Sequence, residues 1–141
     1  MRPINKVIIH CSATPEGRDV KIDTIRKWHT DKGWSDIGYH YVIELDGQIQ
    51  AGRPVELLGA HCLGQNKFSI GVCYVGGMDK KMTKAKDTRT KEQKESLIKL
   101  IADIRKKYPI LSVNGHNEYA AKACPSFDVS KKGINARKRP L

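Results

Sequence analysis

Three short apolar runs rich in β-branched residues place the strongest constraint on the fold of this chain. They cover residues 6–10, 69–75 and 110–113. The first run has no turn residue inside it, which is typical of a buried strand. We therefore predict a strand in each of the three runs.

A hairpin of two further strands is predicted in the first half of the chain. Apolar and polar side chains alternate over residues 39–45, as they do in a strand with two different faces. Asp46-Gly47 follows as a strong signal for a two-residue turn, and residues 48–52 return as the partner strand. Tyr39 and His40 then lie at the end of a strand, which is a rigid place to mount a catalytic group. From the residues alone, the favoured alternative for Tyr39 is an ordinary strand aromatic with a satisfied hydroxyl.

A helix is predicted at about residues 21–31. Ile22, Ile25 and Trp28 recur at three-residue spacing and mark its apolar face. His29 lies beside Trp28, and we interpret it as a surface or groove-edge residue rather than a metal ligand.

A second helix is predicted from Thr90 to about Tyr108. Thr90 and Gln93 have the spacing of a capping box, which stabilises the first turn of a helix. Because strands and helices alternate along the chain with hairpins among them, the predicted fold class is α+β or mixed α/β. We expect a central mixed β-sheet flanked by helices.

The length of 141 residues suits one domain with a substantial core. We find no internal repeat and no linker, so residues 1–141 are predicted to form a single domain with its core at about residues 4–129. Residues 130–141 are a basic tail. Its cationic residues are Lys131, Lys132, Arg137, Lys138 and Arg139.

The composition is that of a soluble globular protein, with 39% hydrophobic and 29% charged residues. No apolar run approaches the roughly 20 residues that a membrane span needs. The run near the N-terminus is also far too short for the core of a signal peptide. We therefore expect no membrane span, and synthesis in the cytoplasm without a signal peptide.

The formal net charge of +11 is large for this length. It favours a polyanionic partner such as nucleic acid, an anionic envelope polymer or an acidic protein. Nucleic acid is the less favoured of these, because the chain has no RNA- or DNA-binding motif. An aromatic content of 6% also provides few side chains for stacking on bases.

The four cysteines are widely spaced and form no C-x-x-C pair. A chain of this size does not need disulfides to be stable. We therefore predict that Cys11, Cys62 and Cys73 are small buried thiols in a reducing compartment. Cys124 differs because of its neighbours.

The segment around Cys124 carries the chemistry of a metal site. His116, Lys122 and Cys124 follow each other closely, and histidine and cysteine are ligand types that zinc prefers. A third ligand is needed, and we expect it to be His10, at the end of the first apolar run. Two histidines and one cysteine leave a fourth position for water, which is the arrangement of a catalytic zinc site. The alternative for His10 is a core histidine that is hydrogen-bonded at a strand end.

Hydrolysis of an amide at such a site needs two further groups. Lys122 suits the first task, which is to stabilise the oxyanion with a fixed positive charge. The second task is to orient or deprotonate the water, and the residue types alone leave four candidates open. They are Tyr39, His40, His61 and Glu118.

Four segments together carry a family resemblance. They are residues 9–14 (IHCSAT), 33–41 (GWSDIGYHY), 69–77 (SIGVCYVGG) and 121–128 (AKACPSFD). With them the chain resembles the zinc-dependent N-acetylmuramoyl-L-alanine amidase family, type 2. Within that family it is similar to the small phage amidases of the lysozyme or endolysin type, which are related to the peptidoglycan recognition proteins. The resemblance covers about residues 4–129.

The resemblance implies a role for each matched residue. The Zn²⁺ ligands fall on His10, His116 and Cys124. The tyrosine that orients or activates the water falls on Tyr39, and the lysine that stabilises the oxyanion falls on Lys122. His61 and Asn66 match a loop of the groove wall, which makes them candidate substrate contacts.

The resemblance also implies a substrate and a setting. The family cuts the amide between N-acetylmuramic acid and L-alanine in peptidoglycan, with the zinc at the floor of a groove. A phage or prophage endolysin, which reaches the cell wall after release, is the simplest setting. A secreted effector and a recycling amidase stay open. The basic surface is expected to attract anionic envelope polymers.

Two alternatives of a different class are a peptidoglycan-binding module without catalysis and a polymerase-binding regulator. Some relatives that lost the zinc cysteine only bind peptidoglycan, but Cys124, Tyr39 and Lys122 are all present here. Some phage members also bind their polymerase, and no residue of this sequence identifies such a surface.

Overall fold

The computed structural model describes residues 2–132, so the cationic residues Arg137, Lys138 and Arg139 of the basic tail lie outside the described residues. The described part forms seven strands and two α-helices. The strands are β1 (Lys6–Cys11), β2 (Thr14–Pro15), β3 (Tyr41–Ile43), β4 (Ile49–Ala51), β5 (Ser69–Tyr74), β6 (Gly77–Met78) and β7 (Ser112–Gly115). The helices are α1 (Ile22–Asp31) and α2 (Lys91–Lys107), and neither is long and apolar enough to cross a membrane.

Five of the strands form a mixed central sheet in the order β4-β3-β5-β1-β7. β3, β5, β1 and β7 run parallel to their neighbours, and β4 is joined antiparallel to β3 by the predicted hairpin. β2 and β6 pair separately as a short parallel ladder. The predicted mixed sheet is confirmed, and its strand β1, which lies between β5 and β7, is the one that carries His10.

The two faces of the sheet are covered by different helices. Val7 and Ile9 of β1 belong to the same buried cluster as the apolar side chains of α2. Ile22 and Ile25 of α1 belong to the other cluster, with Cys73 of β5. Because successive side chains of a strand point to opposite faces, His10 shares the α1 face with Ile8 and not the α2 face with Ile9.

The apolar face of α1 differs from the prediction. Trp28 is 37% exposed, and His29 is buried with Ile22 and Ile25. A strict three-residue spacing drifts around a helix that has 3.6 residues per turn, whereas residues 22, 25 and 29 stay on one side. The interpretation of His29 as a surface residue was therefore wrong.

The other predicted elements hold with small shifts. Thr90 and Gln93 form the predicted capping box at the start of α2. The strand predicted at residues 39–45 is regular only over β3 (Tyr41–Ile43), and the last strand begins at Ser112 instead of Ile110. Cys11, Cys62 and Cys73 are buried free thiols, as predicted.

Candidate active site

The structure brings the three predicted metal ligands together. One ligand atom each from His10, His116 and Cys124 lies within 4.8 Å of the other two. The Sγ atom of Cys124 is 3.9 Å from Nδ1 of His10, and the ring centroids of His10 and His116 are 4.6 Å apart. Zinc with tetrahedral bonds of about 2.0 to 2.3 Å places its ligand atoms roughly 3.5 Å apart. The donor set and its spacing therefore fit a zinc ion.

The parallel pairing of β1 and β7 explains why two of these residues meet. Ile9 is in register with Gly115, so His10 and His116 each follow a paired residue at the same edge of the sheet. Functional groups collect at this edge in parallel sheets because the carboxyl ends of the strands meet there.

Glu118 holds the end of β7 in place. Its Oε2 accepts the Gly115 N–H at 2.7 Å, and its Oε1 accepts an N–H of Asn114 at 2.9 Å. Both carboxylate oxygens are thus engaged with the main chain and side chain that lead into His116. This use as a structural acceptor makes Glu118 a weaker candidate for activating a water.

The segment after Cys124 is anchored to the strands beside it. The hydroxyl of Tyr74 donates to the carbonyl of Pro125 at 2.7 Å, and Ser126 Oγ donates to the carbonyl of Gly77 at 2.8 Å. The Cys11 N–H points at Cys124 Sγ at 3.2 Å. Contact with the Cys11 side chain, together with burial, raises the pKa of the Cys124 thiol. A bound dication would oppose this shift, because it stabilises the thiolate.

Tyr39 and Lys122 approach the same place from two sides. The Tyr39 ring lies just before β3, with its centroid 5.1 Å from that of His10. Burial raises the pKa of the Tyr39 hydroxyl well above its ordinary value, so it is a neutral hydrogen-bonding group at neutral pH. The Lys122 side chain is exposed, and its charge adds to burial in lowering the pKa of His116.

An open cavity of about 530 Å³ lies beside His116 and Lys122. His116 and Lys122 line it on the metal side, and a mainly apolar and aromatic wall faces them. The wall includes Trp34, Ala60, Leu63, Tyr119 and Ala120. A cavity of this size with a few polar groups is typical of a small-molecule binding site.

His61 and Asn66 also border the cavity, but most of their polar atoms are used inside the protein. Asn66 Oδ1 accepts the main-chain N–H groups of His61 and Cys62 at 3.0 and 2.9 Å. The His61 ring is buried, with Nδ1 at 2.7 Å from Nε2 of His10. Their role as substrate contacts stays a prediction.

Two further histidines serve as buried acceptors near the site. His29 Nδ1 accepts the N–H of Gly38 at 2.9 Å, and its ring packs against Tyr39 at 5.4 Å between centroids. His40 Nδ1 accepts the N–H of Gly71 at 3.0 Å, so its Nε2–H faces the Leu57 carbonyl at 2.9 Å. Sequence reasoning missed the role of His29, although the 3.6-residue period of α1 could have revealed its burial.

Comparison with known proteins agrees with the sequence resemblance. The family described as N-acetylmuramoyl-L-alanine amidase matches residues 1–127. The endolysin of Escherichia phage T7 is 43% identical over 125 residues, which make up 89% of this chain and 82% of the phage protein.

Solved structures agree with the fold. The N-acetylmuramoyl-L-alanine amidase LysC from Clostridium intestinale superposes with a TM-score of 0.81 at 27% identity, over 94% of this chain and 83% of that one. Peptidoglycan recognition protein-LE in complex with tracheal cytotoxin, a monomeric diaminopimelic acid-type peptidoglycan, has a TM-score of 0.73 at 25% identity. It covers 89% of this chain and 75% of its own. With sequence and fold in agreement over nearly the same residues, the chain belongs to the N-acetylmuramoyl-L-alanine amidase family.

Proposed function

We propose that this amidase depends on one zinc ion held by His10, His116 and Cys124. It uses the ion to hydrolyse the amide between N-acetylmuramic acid and L-alanine in peptidoglycan. The observation that carries the proposal is the convergence of the three ligand atoms within 4.8 Å, at the edge of a cavity that Lys122 also lines.

A zinc ion at this place would act as a Lewis acid and would lower the pKa of a coordinated water towards about 7. The Tyr39 ring lies beside the His10 ring, and its neutral hydroxyl orients the attacking water. The Lys122 ammonium stabilises the negative charge that develops on the carbonyl oxygen of the substrate. The polar atoms of His40 and Glu118 are engaged in strong hydrogen bonds elsewhere. The Tyr39 hydroxyl contacts only a weakly polar thiol, that of Cys73, in the described part of the chain, and the family resemblance also favours Tyr39.

The cavity binds the muramyl peptide around the scissile amide. Trp34 and Tyr119 offer aromatic surface, and Leu63, which is 96% exposed, offers apolar surface at the rim. The complex of peptidoglycan recognition protein-LE with a monomeric peptidoglycan supports this class of ligand.

The biological role is that of an endolysin that acts on the cell wall after release. The phage relatives that carry this name support the assignment. The positive charge aids delivery by attracting anionic envelope polymers. Exposed lysines on α2 contribute to this surface, namely Lys91, Lys94, Lys99, Lys106 and Lys107.

Digestion of purified sacculi, followed by mass spectrometry of the products, tests the reaction. We expect free stem peptides that begin with L-alanine, together with glycan strands that carry unsubstituted lactyl groups. Products cut within the glycan or the peptide would contradict the proposal. A chelator should abolish the activity, and added zinc should restore it. Cys124→Ser should lose both zinc and activity, and the proposal fails if this variant keeps both.

A further inference from the structure

A line of hydrogen bonds runs from Nε2 of His10 through His61, which borders the cavity, to the buried Ser69. His10 Nε2 is 2.7 Å from His61 Nδ1, and His61 Nε2 is 3.2 Å from Ser69 Oγ. Ser69 Oγ lies 2.8 Å from the carbonyl oxygen of Gln65. His10 and Ser69 are 1% and 0% exposed, so water does not compete for these bonds.

The carbonyl oxygen of Gln65, at the end of this line, determines which atom is the donor in each of the three hydrogen bonds. The Gln65 carbonyl can only accept, so the single hydroxyl proton of Ser69 points at it. Ser69 Oγ then accepts a proton from His61 Nε2–H, which leaves His61 Nδ1 as an unprotonated acceptor. His10 must therefore donate from Nε2–H, and its Nδ1 is the nitrogen without a proton. That nitrogen is the one 3.9 Å from Cys124 Sγ.

We propose that His61 is a positioning residue that acts with Ser69 to fix the tautomer and the ring orientation of His10. In this state Nδ1 of His10 is free to bind the metal. The inference rests on the proposed zinc site and deepens it. In this role His61 supports the metal ligand His10 through a hydrogen bond and does not need to contact the substrate.

The fold makes room for the His61 ring at two glycines. A Cβ atom at Gly71 would lie 2.6 Å from His61 Cγ, and one at Gly59 would lie 2.7 Å from His61 Cδ2. Real Cβ atoms do not approach other atoms so closely, so only glycine admits the ring at either position. Asn66 Oδ1 holds the main chain of His61 from the other side. The ring is thus fixed by packing as well as by its hydrogen bonds, as a supporting group of a metal site needs to be.

The test is the zinc dissociation constant of the full chain, measured by competition with a chromophoric chelator. Loss of a hydrogen-bond partner behind a metal-bound histidine weakens metal binding by about 10- to 100-fold. His61→Ala should show a loss in this range. His61→Asn should recover most of it, because Asn Oδ1 can accept the proton of His10 Nε2–H. Ser69→Ala should fall between wild type and His61→Ala, since the ring is then free to turn an N–H towards His10.

His40→Ala is the matched control. His40 is a second buried imidazole, 5.8 Å from His61 between ring centroids, and it has no hydrogen bond to His10. Its loss should lower the midpoint of urea unfolding but leave the zinc dissociation constant unchanged. Equal losses of zinc affinity in His61→Ala and His40→Ala would overturn the inference, as would wild-type affinity in His61→Ala or no recovery in His61→Asn. Failure of the wild-type chain to bind one zinc would instead overturn the proposed function.

Discussion

At the scale of single residues, two buried imidazoles near the site are kept neutral by their surroundings. His29 and His40 each accept a main-chain N–H through Nδ1, which a protonated ring cannot do. Burial is the main cause that lowers the pKa of each ring to about 4, and nearby cations add to it. For His29 these cations are Lys32 and Arg53, and for His40 they are Arg2 and Arg53.

The lowered pKa values predict a stability that falls with acid before the carboxylates titrate. The two rings bind protons in the unfolded chain below about pH 6.5 but stay neutral in the folded protein down to about pH 4. Their stabilising contribution is therefore complete above pH 6.5 and is lost as the pH falls towards 4. The free energy of unfolding should decrease by about 3 kcal/mol between pH 7 and pH 5 from these two groups. Urea unfolding in the presence of a chelator measures it, and an unchanged free energy over this range would contradict the assignment.

Lys122 gives a second prediction at this scale. Lys122→Met keeps much of the side-chain volume but removes the charge that we propose stabilises the oxyanion. We expect kcat to fall by about 10²- to 10³-fold on muramyl peptides, with zinc content unchanged. Lys99→Met, on the exposed side of α2, is the control and should match wild type. Full activity of Lys122→Met would remove this lysine from the mechanism.

The residues that could be named from the sequence are those whose chemistry is rare. His116, Lys122 and Cys124 stand out because few other roles need these groups so close together in the sequence, and His10 follows as the third ligand that such a site needs. The role of His61 could not be predicted in the same way. It depends on a hydrogen bond to Ser69 and on space left at Gly71, and both follow from the path of a loop.

At the scale of elements, the site is built where β1 and β7 end side by side. Glu118 accepts the N–H of Gly115 and so holds the end of β7 in place immediately before His116. We therefore propose that the carboxylate positions the metal ligand His116 and does not transfer a proton.

Comparison of two variants tests that distinction. Glu118→Gln retains one carbonyl oxygen that can accept the Gly115 N–H, so most of the activity should remain. Tyr39→Phe loses the only polar atom of its ring and should lower kcat by about 10²- to 10⁴-fold with zinc bound. The kcat of each variant, measured on a soluble muramyl peptide, decides which of the two residues activates the water. The reverse order of activities would identify Glu118 as the group that activates the water.

Periodicity predicted the kinds of element better than their edges and their order. β-branched runs identified the strands, and the Thr90 capping box identified the start of α2. The sheet order could not be predicted, because β1 pairs with β5 and β7, which are distant in the sequence, and such pairing is set by packing. Trp28 was misplaced because a three-residue spacing was extended beyond one turn of α1.

At the scale of the whole molecule, we propose separate roles for the fold and the charge. The fold brings together segments near residues 10 and 116–124, whereas the net charge of +11 is proposed to attract anionic envelope polymers over a longer range. Salt screens such long-range attraction, with a Debye length of about 10 Å at 0.1 M.

Lysis of whole envelopes should therefore weaken steeply with added salt, while hydrolysis of a soluble muramyl peptide should change little. Replacing Lys91, Lys94 and Lys106 by Gln should make the salt dependence of lysis shallower, because these exposed lysines lie far from the chemistry on α2. Rates on both substrates, measured over the same salt series, give the comparison. An equal salt dependence for envelopes and soluble peptide would show that charge has no role in delivery.

The central claim is that two imidazoles and one thiolate of this chain bind the zinc ion of an amidase. X-ray absorption at the zinc edge of the zinc-loaded protein tests it most directly. We predict one sulfur neighbour at about 2.3 Å and two imidazole nitrogens at about 2.0 Å, with the sulfur signal lost in Cys124→Ser. A zinc spectrum without sulfur in the wild-type protein would contradict the account.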